Sequence, residues 1–156
     1  MKVYNLKRSQ VFPISMEEAW GFFTNPLNLG KITPPDMGFA IQYISGKKAT
    51  YAGQIVTYKI KLWPGICVVW VTEITQVKGL QYFIDEQRSG PYKLWHHQHH
   101  FVPTKDGVEM VDEVNYIMPL GLLGRLAHWL FVGRQVNAIF DYRHKVLATL
   151  FPQENN

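Results

Sequence analysis

The sequence predicts an α+β domain in which a curved, seven-stranded antiparallel sheet wraps around one long C-terminal helix. Two observations lead to this fold class: strand-like segments follow one another with glycine or proline between them, and the spacing of apolar residues becomes helical after Pro119. The chain has 156 residues, 47% of them hydrophobic, and shows no internal repeat or linker. We therefore assign residues 1–156 to a single domain with a buried core.

The N-terminal part predicts a strand over residues 2–12, followed by one or two short helices. In the stretch ISMEEAWGFFTN, Ser15 has the position of an N-cap, and Glu18, three residues later, completes a capping box. Pro26 ends this helix, because the residue before a proline is disfavoured in helical geometry. A second short helical turn is expected within PLNLGKITPPD.

Six further strands are predicted, joined by short turns as in an antiparallel meander. Glycine marks most of the turns, and Trp63-Pro64-Gly65 has the composition of a hairpin tip. The predicted strands cover residues 37–45, 53–62, 66–77, 80–88, 93–103 and 107–117.

The last segment, from Leu122 to Phe151, predicts one amphipathic helix of roughly 29 residues, about 43 Å long. Gly133 is a position at which this helix can bend or split. The predicted apolar stripe consists of Leu122, Leu126, Trp129, Val132, Val136, Ile139, Phe140, Val146, Leu147 and Leu150. Because a single helix covers only part of a seven-stranded sheet, we expect a cavity between the two.

The composition favours ligand binding over several other functions. Aromatic residues make up 14% of the chain, more than a core of this size requires, which indicates an apolar surface for a ligand or partner. The net charge of +4 is modest and its cations are scattered, so we expect no nucleic-acid partner. The sequence contains no glycine-rich phosphate loop, nucleophile elbow or paired-cysteine motif, and we expect no cofactor and no metal.

The expected location is the cytoplasm. The residues after Met1 lack the apolar core of a signal peptide. The most apolar stretch, LGLLGRLAHWLFVG, is short for a bilayer span and is interrupted by Arg125 and His128, so we expect no transmembrane segment. Cys67 is the only cysteine, which excludes an intramolecular disulfide. Nothing in the sequence indicates the oligomeric state.

Three stretches carry a family resemblance: FIDEQRSGPYKLWHHQHHFVP, VDEVNYIMPLGLLGRLA and IFDYRHKVL. Together with the order of elements, they resemble the helix-grip fold of the START-related superfamily, which includes birch-pollen allergens and polyketide cyclase/dehydrase and lipid-transport proteins. They are similar to a bacterial subgroup that is sometimes labelled a cell-division inhibitor. The resemblance covers nearly the whole chain. It implies the fold and a small hydrophobic or amphipathic ligand, and it brings no single catalytic motif.

The stretch LWHHQHHFVP places four histidines on one predicted strand. Since side chains alternate along a strand, His97 and His99 share one face, and His96 and His100 share the other. The face of His97 and His99 is the more aromatic one, so we expect it to be concave and to line the cavity. The candidate ligand-binding residues are Phe83, Asp85, Gln87, Trp95, His97, His99, Phe101, Met110, Asp112, Val114, Tyr116, Trp129, Phe140 and Arg143.

The buried polar groups of this set allow several roles. His97 and His99 can form a structural hydrogen-bond network, orient the polar end of a ligand, or act as acid and base with Asp85 or Asp112 in a cyclase or dehydratase. A metal site is not expected, because zinc requires three or four convergent ligands and the register separates the histidines into pairs. Arg143 either extends to the rim or meets a sheet carboxylate such as Asp112.

Two further readings stay open at this point. The aromatic residues Trp70, Trp95, Phe101, Tyr116 and Trp129 are either core or cavity wall. A protein-interaction module, with the apolar face of the N-terminal helices as its contact surface, is the third functional class after ligand binding and catalysis.

Overall fold

The structure is a computed structural model that describes residues 1–46, 49–63 (the side chain of Trp63 excepted) and 65–153. Its strands are β1 (Tyr4–Phe12), β2 (Ala40–Ile44), β3 (Ile55–Trp63), β4 (Ile66–Lys78), β5 (Tyr82–Ser89), β6 (Leu94–Thr104) and β7 (Gly107–Ile117). Helix α1 (Met16–Phe23) and two 3₁₀ helices (Pro26–Ile32 and Pro35–Met37) lie between β1 and β2. The C-terminal helical segment consists of α2 (Leu122–Ala127), a π-helical turn (His128–Val132) and α3 (Gly133–Leu150). Within the predicted hairpin tip, Pro64 lies outside the described residues.

The seven strands form one antiparallel sheet in the order β1-β7-β6-β5-β4-β3-β2. Strands β2 to β7 are a meander, and β1 pairs with β7 from Tyr4 opposite Tyr116 to Phe12 opposite Val108. The sequence-based prediction of an α+β fold with a seven-stranded antiparallel sheet is confirmed. The predicted second strand is shorter than expected, because Pro35–Met37 forms a 3₁₀ turn and Gly38 adopts a left-handed conformation with φ of 53°.

The start of α1 confirms the predicted capping box. The backbone N–H of Glu18 donates to Ser15 Oγ at 3.2 Å, and Ser15 N donates to Glu18 Oε2 at 2.9 Å. These bonds satisfy two backbone donors that a helix N-terminus leaves free. Helix α1 packs its apolar face inward, with Ala19 fully buried and Trp20 against the rings of Phe83 and Phe101. That face is used inside the protein, so it is not available as a contact surface for a partner.

Helix α3 lies across the concave face of the sheet. Its buried residues are Val136, Phe140, Arg143 and Leu147, at intervals of four, three and four residues. This spacing places them in one stripe along the helix. Toward the N-terminal end the stripe packs on Leu6, Val114 and Tyr116, and Leu147 joins the cluster that contains Phe12 and Phe101. Among the described residues, no helix is both long and apolar enough to cross a membrane.

The N-terminal half of the predicted apolar stripe does not face the sheet. Leu122, Leu126 and Trp129 are 77%, 52% and 75% exposed, and the prediction that they are buried is wrong. The reason is the π-helical turn, which contains more residues per turn than an α-helix. The residues that face inward in this segment therefore follow one another at intervals of four positions. Gly124, His128, Val132, Val136 and Phe140 therefore face the sheet. The leucines and Trp129 are rotated to the outside.

Candidate functional site

A cavity of about 170 Å³ lies between the concave face of the sheet and α3, and the 3₁₀ helices border it on one side. Most of its lining is apolar. One wall is aromatic and consists of Phe39, Tyr58, Trp70, Tyr92 and Trp95. The polar groups of Asp85, His97, His99 and Arg143 also border the cavity. A mostly apolar cavity with a few convergent polar groups is the usual form of a small-molecule site.

The aromatic wall is built from neighbouring strands. Tyr58 on β3 pairs with Trp70 on β4, and their rings stack at a centroid distance of 5.9 Å. Trp95 on β6 meets Trp70 edge-on at 5.3 Å, and Tyr92 lies 4.8 Å from Trp95. Burial raises the pKa of the Tyr58 and Tyr92 hydroxyls, which are therefore neutral at physiological pH. The wall presents aromatic surface without charge.

Gln87 holds Tyr92 in this wall. Gln87 Nε2 donates to the carbonyl oxygen of Tyr92 at 2.6 Å, and the N–H of Tyr92 donates to Gln87 Oε1 at 3.2 Å. Gly90 lies inside this turn, and a Cβ at Gly90 would lie 2.5 Å from Gln87 Oε1. Gln87 was predicted as a ligand-binding residue, but its amide is satisfied by the turn and does not border the cavity.

The indole N–H of Trp70 is the unsatisfied donor of the aromatic wall. Trp70 is 6% exposed, and its Nε1 has no hydrogen-bond partner among the described residues. A buried donor without an acceptor costs about 1–3 kcal/mol. Trp70 borders the cavity, and a ligand acceptor that reached this N–H would remove the cost.

His97, His99, Asp85 and Asp112 form a compact cluster across β5, β6 and β7, which we call the His–Asp ring. His97 Nε2 donates to Asp112 Oδ1 at 3.0 Å, and His99 Nε2 donates to Asp85 Oδ2 at 2.8 Å. The remaining ring nitrogens also face carboxylates: His97 Nδ1 lies 3.4 Å from Asp85 Oδ2, and His99 Nδ1 lies 2.8 Å from Asp112 Oδ1. The last contact is close but lies outside hydrogen-bond geometry. The register produces this cluster, since Asp85 pairs with His97 and Asp112 pairs with His99.

The distances indicate the protonation of the two imidazoles. With Nε2 as the donor, a neutral imidazole would place its unprotonated Nδ1 next to a carboxylate oxygen, which is repulsive at 2.8 Å and less so at 3.4 Å. The geometry therefore favours imidazolium at His99 and neutral imidazole at His97. Burial lowers the pKa of both histidines, but the close contact with the Asp112 carboxylate and the hydrogen bond to Asp85 outweigh it at His99, whose pKa is raised. At His97 the neighbouring His99 adds to burial, and the pKa is lowered.

The charges of the His–Asp ring are balanced with the help of Arg143 on α3. Burial raises the pKa of Asp112, but the hydrogen bond from His97 and the close contact with His99 outweigh it and hold this pKa well below its ordinary value. Arg143 Nη1 lies 3.7 Å from Asp112 Oδ2, and the guanidinium lies over the ring of Phe140 at 4.8 Å. Two carboxylates, one imidazolium and one guanidinium sum to zero charge. Arg143 thus contacts a sheet carboxylate, Asp112, which is one of the two alternatives predicted from the sequence.

Arg143 borders the cavity and retains hydrogen-bond donor capacity. Its residue exposure is 9%, it borders the cavity, and its Nε has no hydrogen-bond partner among the described residues. The 3.7 Å separation from Asp112 is an ion pair beyond hydrogen-bond length. A buried guanidinium with free N–H groups is suited to an acceptor oxygen of a ligand.

The structure brings most of the predicted site residues together. His97 and His99 are buried on the concave face, and His96 and His100 lie on the opposite face, as strand alternation predicts. The predicted residues that border the cavity are Phe83, Asp85, Trp95, His97, His99, Met110, Phe140 and Arg143. Their role in ligand binding stays a prediction at this point.

The other predicted residues do not line the cavity. Phe101 packs under α1 against Trp20, and Val114 and Tyr116 pack under Val132 and Val136, because the two helices cover those parts of the concave face directly. Asp112 lies behind the histidines, as part of the His–Asp ring. Trp129, predicted as core or cavity wall, is turned to the outside by the π-helical turn.

Sequence reasoning overlooked part of the lining. Tyr58, Tyr92 and Ile139 border the cavity but were not predicted as site residues, and the free indole N–H of Trp70 was not foreseen. Alternation along β3 and β4 was the available signal for Tyr58 and Trp70, since both fall on the concave face with Ile60 and Ile74. Tyr92 lies in a turn, where alternation gives no face.

Three potential metal ligands converge in the His–Asp ring. Ligand atoms of Asp85, His97 and His99 all lie within 4.8 Å of one another. Register separates the four histidines into two pairs as predicted, and Asp85 on β5 joins the His97–His99 pair as a third potential ligand. Hydrogen bonds or ion contacts within the ring also engage these atoms.

Comparison with known proteins identifies the fold. No family model matches the chain, and no curated protein matches it. Among solved structures, the chain is similar to protein CV1439 from Chromobacterium violaceum, with a TM-score of 0.70 at 14% identity over 94% of this chain and 96% of that one. It is similar to Ara h 8.0201, with a TM-score of 0.59 at 12% identity over 95% and 99% of the two chains.

A third similar structure is the di-domain ARO/CYC StfQ from the steffimycin biosynthetic pathway. The TM-score is 0.70 at 11% identity, and the match covers 96% of this chain and 50% of StfQ. These similarities, together with the topology described above, show that the chain has the helix-grip fold predicted from its sequence. The narrower resemblance to a bacterial subgroup stays a prediction.

Proposed function

We propose that this helix-grip domain binds a small hydrophobic or amphipathic molecule in the cavity, with an aromatic ring against the aromatic wall and an acceptor group directed at Trp70. The observation that carries the proposal is the buried, unpartnered N–H of Trp70 at the wall of a mostly apolar cavity. An apolar cavity alone can be a packing defect. A buried hydrogen-bond donor without an acceptor is uncommon in folded proteins, however, and here such a donor belongs to a residue of the cavity wall. The likeness to Ara h 8.0201 and to StfQ supports the fold in which such a cavity occurs.

The size of the cavity limits the ligand. Its volume of about 170 Å³ slightly exceeds that of an engineered apolar cavity of roughly 150 Å³ that binds benzene. A substituted aromatic ring therefore fits, whereas a long acyl chain requires the cavity to open. Transfer of such a ring from water contributes about 25 cal/mol per Å² of apolar surface buried.

The polar end of the ligand is an acceptor. Trp70 Nε1 and Arg143 Nε are both buried donors without a partner among the described residues, and both residues border the cavity. Asp85 borders it too, but its carboxylate already accepts from His99. A carbonyl or ether oxygen satisfies this arrangement better than a hydroxyl donor does.

The carboxylate contacts of His97 and His99 favour ligand binding over cyclase or dehydratase chemistry. A general base requires a ring nitrogen that is free to reach the substrate. In the His–Asp ring all four ring nitrogens of His97 and His99 lie within 3.4 Å of a carboxylate oxygen. The His–Asp ring therefore has a structural role at the floor of the cavity, where it holds the buried charges in place. The unpartnered donors of Trp70 and Arg143 recognise the ligand.

A pair of nearly isosteric probes tests the proposal: acetophenone, which carries a carbonyl acceptor, and α-methylstyrene, in which a CH2 group replaces the carbonyl oxygen. NMR titration of the wild-type protein should show both probes in the cavity, with acetophenone bound more tightly. Trp70→Phe keeps an aromatic ring and removes the N–H, so the ratio of the two affinities should fall about fivefold to tenfold, the equivalent of one lost hydrogen bond. Because both probes share the same shape, the ratio cancels the change in cavity volume.

Two variants complete this experiment. Ile139→Trp places a larger side chain in the cavity lining and should abolish binding of both probes. Trp129→Phe, at an exposed site away from the cavity, should leave both affinities unchanged. If neither probe perturbs the resonances of cavity residues, or if Trp70→Phe leaves the affinity ratio unchanged, the proposal is refuted.

A further inference from the structure

An exposed apolar surface lies at the start of the C-terminal helical segment, and none of its residues borders the cavity. We call it the Leu–Trp surface. It consists of Leu120, Leu122, Leu123, Leu126, Trp129 and Leu130, with exposures of 78%, 77%, 69%, 52%, 75% and 43%. Single exposed leucines are ordinary, but six large apolar side chains within eleven residues are a contiguous patch. Such patches mark sites of interaction.

The fold holds this surface outward. His128, on the inward side of the π-helical turn, stacks on Tyr4 at a centroid distance of 3.5 Å and lies 2.8 Å from the hydroxyl of Tyr116. Gly124 allows close approach to the preceding loop, because a Cβ there would lie 1.8 Å from the carbonyl oxygen of Pro119. Rotation of the helix to bury the leucines would break the contacts of His128. The exposure is therefore a fixed feature of the structure.

The described charged side chains of the groove beside the Leu–Trp surface are all positive. A surface groove beside it is bordered by Lys2, Lys93 and Arg125, together with Met1, Val3, Leu120 and Leu122, and by no acidic residue among those described. The sequence from Val114 to Phe140 contains no aspartate or glutamate, and Arg125 and Arg134 are its cations. The surface is thus an apolar patch with a cationic rim.

We propose that the Leu–Trp surface docks the protein on an anionic lipid bilayer, with the leucines and Trp129 inserted at the headgroup boundary and the cations of the rim on lipid phosphates. A helix that exposes leucine and tryptophan with flanking lysine and arginine has the composition of an interfacial membrane anchor. Each cation close to an anionic membrane surface adds a favourable electrostatic contribution. The short apolar stretch lies on a bilayer and does not span it, in agreement with the helix lengths.

A second copy of the chain fits this surface less well. In a twofold dimer the same patch faces itself, so Lys2, Lys93 and Arg125 of both copies would lie together. Within the described part of the chain, no acidic side chain borders the groove to pair with them. Like charges brought together across an interface oppose association, whereas an anionic bilayer complements them.

The test is flotation of the full chain with large unilamellar vesicles of pure phosphatidylcholine, and with vesicles of phosphatidylcholine and phosphatidylglycerol at seven to three. The wild-type protein should bind the anionic vesicles at least about fivefold better than the neutral ones, and high salt should reduce this binding. The double variant Leu123→Ser, Leu126→Ser should lose most of it, and so should Arg125→Glu. Val102→Ser, an exposed apolar residue on β6, is the matched control and should bind like the wild type.

Fluorescence gives a second readout of insertion. Brominated lipids in the anionic vesicles should quench the wild-type protein more strongly than Trp129→Phe, because Trp129 is the tryptophan of the docking surface. Absence of binding to anionic vesicles would overturn the proposal, and so would equal binding by the wild type and the double variant. Concentration-dependent dimers that the double variant abolishes, without vesicle binding, would overturn it in favour of self-association.

Discussion

His97 Nε2 donates to Asp112 Oδ1 at 3.0 Å, and both side chains are more than nine-tenths buried. This bond joins β6 to β7 beneath the cavity, and Asp112 in turn meets Arg143 of α3. The same carboxylate therefore connects the sheet to the helix that covers it. A buried carboxylate is tolerated only where such partners compensate its lost hydration.

Loss of the Asp112 charge should destabilise the protein strongly. Asp112→Asn leaves the cations of Arg143 and His99 with one compensating carboxylate, and we expect a cost of about 3 kcal/mol or more in the free energy of unfolding. Urea denaturation near neutral pH measures it. Glu86→Gln is the matched control, because Glu86 accepts from His96 at 2.9 Å on the partly exposed face and should cost about 1 kcal/mol or less. Equal costs for the two variants would contradict this account.

The His–Asp ring should make stability depend on pH in a defined direction. The folded-state pKa of His99 is raised above its ordinary value of 6.5, so its contribution is fully present below pH 6.5 and is lost as the pH rises through the folded pKa. The folded-state pKa of His97 is lowered, so its effect has the opposite sign and reduces stability as the pH falls below 6.5. The free energy of unfolding should therefore decrease above pH 6.5, by up to about 1.4 kcal/mol per pH unit.

Urea denaturation across this range measures the dependence. The groups that face His99 are Asp85 on β5, His97 on β6 and Asp112 on β7, and Arg143 of α3 adds its charge through Asp112. His99→Gln should remove the loss of stability that the wild type shows as the pH rises from 6.5 through the folded-state pKa of His99. His96→Gln, on the opposite face of the same strand, should retain it. A His99→Gln protein with the wild-type pH dependence would show that another group is responsible.

Glycine at position 133 should be required by packing. A Cβ there would lie 2.9 Å from His128 Cε1, and this ring is held between Tyr4 and Tyr116. Gly133→Ala should therefore destabilise the protein by about 1 kcal/mol or more, although alanine is the better helix former. Gly21→Ala, in α1 with open space around its Cβ position, should stabilise it by up to about 1 kcal/mol. Thermal unfolding compares the two variants, and stabilisation by both would contradict the packing argument.

Several features of the site could be predicted from the sequence because they are local. Alternation along β6 separates His97 and His99 from His96 and His100, and the capping box at Ser15 is a four-residue pattern. The exposure of Trp129 could not be predicted in this way, because the π-helical turn changes the helical interval without a signal in the apolar spacing. Tyr92 of the aromatic wall could not be predicted for a similar reason. It lies in a turn whose conformation depends on hydrogen bonds with Gln87, and strand alternation does not apply there.

The sequence by itself determined the order of strands and helices and the face on which each strand residue lies. Both follow from the geometry of a few neighbouring residues, namely the period of the backbone and the turns that interrupt it. Only the tertiary structure decided which concave-face residues border the cavity and which are covered, as Trp95 and Val114 show. That difference depends on where α1 and α3 come to rest on the sheet, and their positions result from contacts between residues distant along the chain.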